Sequence, residues 1–283
     1  LYADYMETAI YNALMASLKA DASQIAKYSP LEGWRHEGEE QCGMHINCCN
    51  ANGPRAFAMI PQFAYQVQDD CVRVNFYAPS EAELVLPGKK PVRLKQTTDY
   101  PRTDQIEIEV DPAKETTFTI ALRIPAWSKI AVVSVNGQPQ DGVLQGAYLP
   151  VNRKWKKGDR ITVKLDLRAR LVERNQAQAI VRGPIVLARD SRFGDGFVDE
   201  ASVVVSKDGY VALTPVKAPG FAWLAFTVPM VLGTDLESNR APKQIHFCDF
   251  ASAGNTWDKT QRYRVWLPKT LNVMHSPYRP YNQ

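Results

Sequence analysis

The chain has 283 residues, of which 45% are hydrophobic and 23% are charged, a composition typical of a globular protein. Its 34 basic and 30 acidic residues leave a formal charge of only +4. The basic residues are scattered apart from short clusters such as that at 153–157, which is typical of a solvated turn, and no stacking motif favours nucleic-acid binding. No apolar run approaches the roughly 20 residues of a membrane-spanning helix, and the length suggests about two domains.

The N-terminal part of the sequence predicts helices. Apolar residues recur at three- and four-residue steps over Tyr2–Leu18, which is typical of an amphipathic helix. A second helix is predicted over Pro54–Val67, with an end or a kink near Pro61. The connection between them, over residues 28–50, is long enough to predict a functional loop.

The pattern changes near residue 69, where apolar residues begin to alternate with polar ones. Val72, Val74 and Phe76 face one side of a predicted strand, while the residues between them are polar or amphipathic. Further strands are predicted at 82–86, 92–96, 106–110, 117–124, 131–135, 160–167, 177–188, 202–205, 210–213, 222–228, 245–247 and 262–267. Many short strands without helices between them favour β-sandwiches.

An adjacent pair of cysteines, Cys48 and Cys49, is the main candidate for chemistry. Adjacent cysteines do not form an unstrained disulfide, because one peptide holds their Cα atoms too close together. The pair therefore predicts two buried thiols, two thiols with separate partners, or a site for a soft metal such as zinc. Since Pro54 predicts a helix start just after the pair, the helix dipole would stabilise a thiolate there.

The residues around this pair resemble a known family. The run His-x-Asn-Cys-Cys-x-Ala-Asn-Gly-Pro-Arg that begins at His45, with Tyr28-x-Pro-Leu-Glu32 upstream, is similar to the cysteine-pair segment of bacterial glycoside hydrolase family 127, whose members are β-L-arabinofuranosidase-like enzymes. Similar motifs follow at 74–77, 99–101, 122–127, 182–184, 251–257 and 263–268, so that the resemblance covers nearly the whole chain.

The resemblance implies a retaining glycoside hydrolase with a sulfur nucleophile. Cys48 matches the nucleophile, and Cys48 and Cys49 match ligands of a zinc ion. By position, Tyr28, Glu32 and His45 would line the sugar pocket. The expected partner is a carbohydrate that contains L-arabinofuranose or a related rare sugar.

The resemblance also implies that part of the site lies elsewhere. In the family, a Glu-x-Cys motif well upstream of the cysteine pair supplies two further zinc ligands. Glu40-Gln41-Cys42 has the right residue types, but only six residues separate Cys42 from Cys48, so we expect a coincidence. We expect the true motif and the acid/base glutamate to precede Leu1. A local site of Cys42, His45 and the two adjacent cysteines is a less favoured alternative.

The predicted fold is therefore mainly β, with two consecutive β-sandwich domains preceded by the closing helices of an (α/α)6 barrel. Residues 1–68 would form the closing helices and an active-site loop, residues 69–170 the first sandwich and residues 171–283 the second. The remainder of the barrel is then an expected partner. A non-catalytic carbohydrate-binding or scaffold protein with a structural zinc site is the alternative function.

Overall fold

The structure is a computed structural model, and it describes residues 2–37, 48–196, 202–232 and 241–269. It is 45% strand and 14% helix, which confirms the predicted mainly β class. Among the described residues beyond 68, the only helix is a 3-10 turn at Ser191–Phe193. No helix in the described ranges is long and apolar enough to cross a membrane.

Two helical segments precede the strands. Helix α1 spans Tyr2–Ala9 and continues as a π-helix over Ile10–Leu14, and helix α2 spans Cys48–Ala64. The predicted start of the second helix at Pro54 is wrong, because both Pro54 and Pro61 lie inside α2. Each proline removes one helical N–H donor, and the carbonyl groups that lose it belong to the exposed Asn50 and the half-buried Phe57.

The predicted apolar face of the first helical segment is also not its buried face. Its buried side chains are Glu7 and Asn12, while Tyr2 and Tyr5 are 82% and 65% exposed. Glu7 meets polar partners that are described below. Asn12 donates to the carbonyl oxygen of Pro184 at 2.8 Å, so its burial is compensated by hydrogen bonding.

The strands, in chain order, are β1 Glu32–Gly33, β2 Tyr65–Gln68, β3 Cys71–Val74, β4 Ser80–Leu86, β5 Lys90–Thr98, β6 Gln105–Pro112, β7 Thr116–Arg123, β8 Val132–Val135, β9 Gln138–Pro139, β10 Tyr148–Trp155, β11 Asp159–Lys164, β12 Ala169–Arg174, β13 Ala177–Arg182, β14 Ile185–Asp190, β15 Ser202–Val204, β16 Ser206–Lys207, β17 Tyr210–Val211, β18 Thr214–Pro215, β19 Ala225–Leu232, β20 Lys243–Asp249, β21 Tyr263–Arg264 and β22 Leu267–Pro268.

The chain divides into two compact units, and the division falls inside both α-helices. The first unit contains Leu1–Glu7 and Pro54–Leu167, and the second contains Thr8–Gly53 and Arg168–Gln283. The predicted division into residues 1–68, 69–170 and 171–283 and the count of two sandwiches stay predictions.

The first unit contains two sheets. One has the order β10-β7-β3-β2, and the other has the order β4-β5-β6-β11-β8-β9. Along β6, the residues Ile106, Ile108 and Val110 are fully buried and alternate with half-buried ones, as the period of two predicts. Strands β3 and β7 are parallel, and the other described pairings in this unit are antiparallel.

The described strands of the second unit form a single sheet network. Its main path has the order β15-β19-β20-β14-β13-β12-β17-β16, and β1, β18, β21 and β22 attach to it. Ile185, Leu187, Val228 and Phe247 lie in its apolar core. Strand β1 pairs with β21, so the long loop between the two helices is tied to the sheet at Glu32–Gly33.

Candidate active site at the cysteine pair

Cys48 and Cys49 are the first two described residues of α2 and belong to the second unit. The Cys48 side chain is exposed and that of Cys49 is half-buried, and neither forms a disulfide. Both lie in the first turn of the helix, where the backbone N–H groups and the dipole favour a negative charge. The sulfur of Cys48 is therefore accessible to solvent, and that of Cys49 is partly covered.

The two thiols influence each other. Burial, a hydrogen bond with Cys48 and the charge of Cys48 raise the pKa of the Cys49 thiol above its ordinary value, while the charge of Lys27 acts in the opposite direction. Like charges on neighbouring groups oppose each other, so positive charge nearby favours the ionised form of Cys49. A bound cation supplies such charge, and thiolates are preferred ligands of zinc.

The start of α2 packs closely against the segment before the long loop. A Cβ atom on Gly53 would collide with the side chain of Ile25, which is 7% exposed. Two residues further on, the Lys27 N–H donates to the carbonyl oxygen of Glu37 at 2.9 Å. The charge of Lys27 acts on the Cys49 thiol, so the Lys27 ammonium lies near the cysteine pair.

The two predicted sugar-pocket residues that the structure describes have different surroundings. The Tyr28 ring is 67% exposed, and the Lys27 ammonium lies 5.5 Å from its centroid. The Glu32 carboxylate lies 3.1 Å from the guanidinium of Arg264, with side-chain exposures of 41% and 2%. Glu32 therefore holds β1 against β21 and is still open to solvent on one side. Its role and that of Tyr28 in substrate binding stay predictions.

The other candidates in the loop, His45 and Cys42, lie outside the described residues. The assignment of His45 to the sugar pocket therefore stays a prediction.

Sequence reasoning missed Arg35, a buried residue of the loop that bonds to the backbone of other segments. Its side chain is fully buried and stacks between the rings of Phe250 and Tyr263, with centroid distances of 4.7 and 5.0 Å. It donates to the carbonyl oxygens of Ala16, Phe250 and Ala251. Burial lowers the pKa of Arg35. A single arginine in a loop has no periodic pattern, so only the three distant carbonyl groups identify its role.

The fit of zinc to the described residues is partial. Structural zinc sites take four ligands, and the cysteine pair supplies two donors of the right chemical type. In the parts of the chain that the structure describes, no group of three or more His, Cys, Asp or Glu side chains is placed to hold a metal. Cys48 and Cys49 therefore fit two positions of a zinc site, and the described residues add no third ligand beside them.

Comparison with known proteins finds similarity to one family over part of the chain. Residues 71–167 match the family model described as the middle domain of GH127 beta-L-arabinofuranosidases. Over 212 residues the chain is 27% identical to the non-reducing end beta-L-arabinofuranosidase of Bifidobacterium longum subsp. longum. The chain is a GH127-like protein. The resemblance stated from its motifs is thus confirmed.

The GH127-like chain covers only part of its relatives. The alignment with the Bifidobacterium enzyme includes 65% of this chain and 31% of the relative. A beta-L-arabinofuranosidase of Geobacillus stearothermophilus T6 has the same fold over 94% of this chain and 46% of its own, with a TM-score of 0.76 and 23% identity. A GH127 beta-arabinofuranosidase structure matches over 99% and 47%, with a TM-score of 0.80 and 25% identity. The chain therefore spans less than half of each.

Proposed function

We propose that this GH127-like chain is part of a retaining glycoside hydrolase that acts on β-L-arabinofuranosides or a related rare sugar. The observation that carries the proposal is the placement of an exposed Cys48 beside a half-buried Cys49 in the first turn of α2. The match of residues 71–167 to the GH127 middle domain supports the same reading. Because the chain spans 31% of its curated relative, the activity is proposed for the protein that the complete gene encodes.

The same proposal extends to the fold. Helices α1 and α2 would be the closing helices of an (α/α)6 barrel that precedes two β-sandwiches. In support, α2 has no buried side chain among the described residues, and its Met59 and Phe63 are 39% and 41% exposed. Apolar side chains at this exposure are covered when further helices pack against them. The remainder of the barrel is the proposed partner.

Cys48 is the proposed nucleophile. Its thiolate attacks the anomeric carbon while the bond to the leaving oxygen breaks, and the leaving alcohol takes a proton from a carboxylic acid. This gives a glycosyl thioether on the Cys48 sulfur. Water then attacks the same carbon, the carbon–sulfur bond breaks, and the water proton returns to the carboxylate. Two inversions give net retention. A glutamate is the proposed acid/base, as the resemblance implies.

Cys49 is proposed to act only as a zinc ligand. It is the more buried of the two thiols, and its burial suits a ligand better than a group that must reach a sugar. Cys48 and Cys49 would hold zinc together, and the ion, when bound, would supply the positive charge that keeps both sulfurs ionised. Tyr28, Glu32 and His45 would contact the sugar.

The test separates the two cysteines in the complete gene product. Cys48→Ser is expected to lower kcat on an aryl β-L-arabinofuranoside by on the order of a thousandfold or more, because serine is a poor nucleophile in this position. It should leave part of the zinc bound. Cys49→Ser is expected to lose zinc first, with activity falling as a consequence. Both quantities are measured on the same preparations, by initial rates and by metal analysis.

A second measurement identifies the attacking sulfur. A mechanism-based inhibitor that traps the glycosyl intermediate should add its mass to the peptide that contains Cys48. A sugar found on Cys49 or on Glu32 would overturn the assignment, and so would a Cys48→Ser enzyme with nearly normal rates. Stoichiometric zinc without hydrolysis in the unsubstituted protein would favour the non-catalytic scaffold with a structural zinc site.

A further inference from the structure

Three neighbouring turns of the first unit carry a concentration of lysines. They are the turn between β4 and β5, the turn between β6 and β7, and the turn between β10 and β11. The Ala113 N–H donates to the carbonyl oxygen of Pro91 at 3.1 Å, and the Gly158 N–H donates to that of Val110 at 3.2 Å. These bonds place the three turns side by side at one end of the sheet.

This end, called here the basic end, contains seven basic side chains: Lys89, Lys90, Lys114, Arg153, Lys154, Lys156 and Lys157. All except the half-buried Arg153 are exposed. Three exposed acidic residues, Asp69, Asp70 and Glu115, lie among them. The Lys90–Asp70 and Lys154–Glu115 pairs, at 3.6 and 2.6 Å, are exposed, so these ion pairs are weak and hold the lysine side chains loosely.

Two further carboxylates in this region face inward. The side chains of Asp111 and Asp159 are 9% and 1% exposed. Asp111 is paired with Arg93 at 2.5 Å, and Asp159 accepts from the amide of Asn136 at 2.8 Å. Asp159 also lies 3.7 Å from Arg153, so these two carboxylates offset part of the positive charge. The seven basic side chains still outnumber the five carboxylates of this end, so its surface is positive.

The opposite end of the same unit has no excess of positive charge. Its loops and the last residue of β11 contain three basic and four acidic residues: Arg102, Lys129, Lys164, Asp99, Asp104, Asp141 and Asp166. The charge of the first unit is therefore polarised along its strands. A polarised basic surface attracts anions and raises their local concentration.

We propose that the basic end binds a carboxylate-bearing polysaccharide. Six of its seven cations are lysines. A lysine ammonium is a hydrated point charge and does not form the bidentate hydrogen bonds that an arginine guanidinium makes with phosphate. Trp155, the aromatic residue within these turns, is fully buried, so the described surface has no platform on which nucleic-acid bases could stack. These turns expose no aromatic or leucine side chain of the kind that anchors proteins in lipid.

The choice of a glycan among polyanions rests on the proposed function, but the binding itself does not need the cysteine pair. The test uses the full chain and polygalacturonate as the probe, with neutral arabinan as the reference. Binding to polygalacturonate is expected at low salt and is expected to weaken steeply towards an ionic strength of about 0.15 M, where charges are screened beyond about 8 Å.

The variant Lys114→Gln, Lys156→Gln, Lys157→Gln is expected to bind polygalacturonate about tenfold more weakly. The matched control is Lys95→Gln, Lys129→Gln, Lys164→Gln, which removes the same charge from exposed positions elsewhere in the first unit. The control is expected to stay within about twofold of the original chain. Circular dichroism and thermal melting establish that both variants fold.

Three results would overturn the proposal: no binding of polygalacturonate at low salt, an equal loss in both triple variants, or a preference for DNA or for anionic phospholipid vesicles at the same ionic strength. Hydrolysis of a neutral aryl arabinofuranoside by the complete gene product is measured in parallel. Its rate depends on the cysteine site and not on these lysines, so failure of one proposal leaves the other intact.

Discussion

At the scale of single residues, the buried carboxylate of Glu7 shows how polar groups hold the first unit together. Glu7 is 2% exposed and lies 2.7 Å from the guanidinium of Arg123. It also accepts hydrogen bonds from Tyr100 at 2.8 Å and from Trp127 at 3.3 Å. Burial is the largest single effect and by itself would lower the pKa of Arg123, but the charge and hydrogen bond of Glu7 together with the nearby Tyr100 and Tyr77 outweigh it, and the pKa is raised.

We therefore predict that Glu7→Gln lowers the free energy of unfolding by about 3 kcal/mol, because it leaves the buried Arg123 with less compensating charge. The measurement is urea denaturation at neutral pH. The control is Glu81→Gln, which removes one carboxylate from the exposed pair with Arg93. That pair should contribute less than about 1 kcal/mol. Equal losses in the two variants would show that the Glu7 network contributes no more than a surface ion pair.

At the scale of secondary-structure elements, the start of α2 depends on the absence of a side chain at Gly53. Alanine is favoured over glycine inside a helix by about 1 kcal/mol. The added Cβ would nevertheless collide with Ile25. We predict that Gly53→Ala lowers stability by about 1–3 kcal/mol, as overpacking does. It should also lower activity of the complete enzyme, because α2 carries the cysteine pair.

The partner residue tests the cause of this loss. Ile25→Val removes the methyl group that the Cβ would meet, at its own cost of about 1 kcal/mol. The double variant should therefore be more stable than the sum of the single losses predicts, by at least about 0.5 kcal/mol. Gly220→Ala is the control, since a Cβ there meets no atom within 4 Å. Additive losses at Gly53 and Ile25 would contradict the packing described here.

At the scale of the whole molecule, the two compact units share the helical segments, and the described residues of the second unit provide the cysteine pair without a complete metal site. We predict that the purified 283-residue chain binds zinc weakly or not at all, because two adjacent thiols leave a tetrahedral ion half-coordinated. The measurement is the zinc-to-protein ratio after dialysis, with the complete gene product as the reference.

Tight, stoichiometric zinc in the 283-residue chain would contradict this prediction. Cys42 and His45, which lie outside the described residues, would then complete a local site with Cys48 and Cys49. Loss of that zinc in a Cys42→Ser variant would establish the local ligand set, and the assignment of ligands by family resemblance would be abandoned.

The sequence by itself determined the mainly β class, the position of most strands and the resemblance to the GH127 family. These depend on local signals. Alternation such as Ile106, Ile108 and Val110 reports one face of a strand, and a run such as that from His45 to Arg55 is read without knowledge of its neighbours in space.

Only the tertiary structure decided which polar residues are buried and where α2 begins. Glu7 meets Arg123 across 116 residues of sequence, and Arg35 meets the carbonyl oxygen of Phe250 across 215. A charged residue is buried when such partners offset its loss of water, and no local pattern encodes a partner so far away. The helix also continues through Pro54, and the space beside Gly53 is filled by Ile25, a neighbour that the local sequence does not reveal.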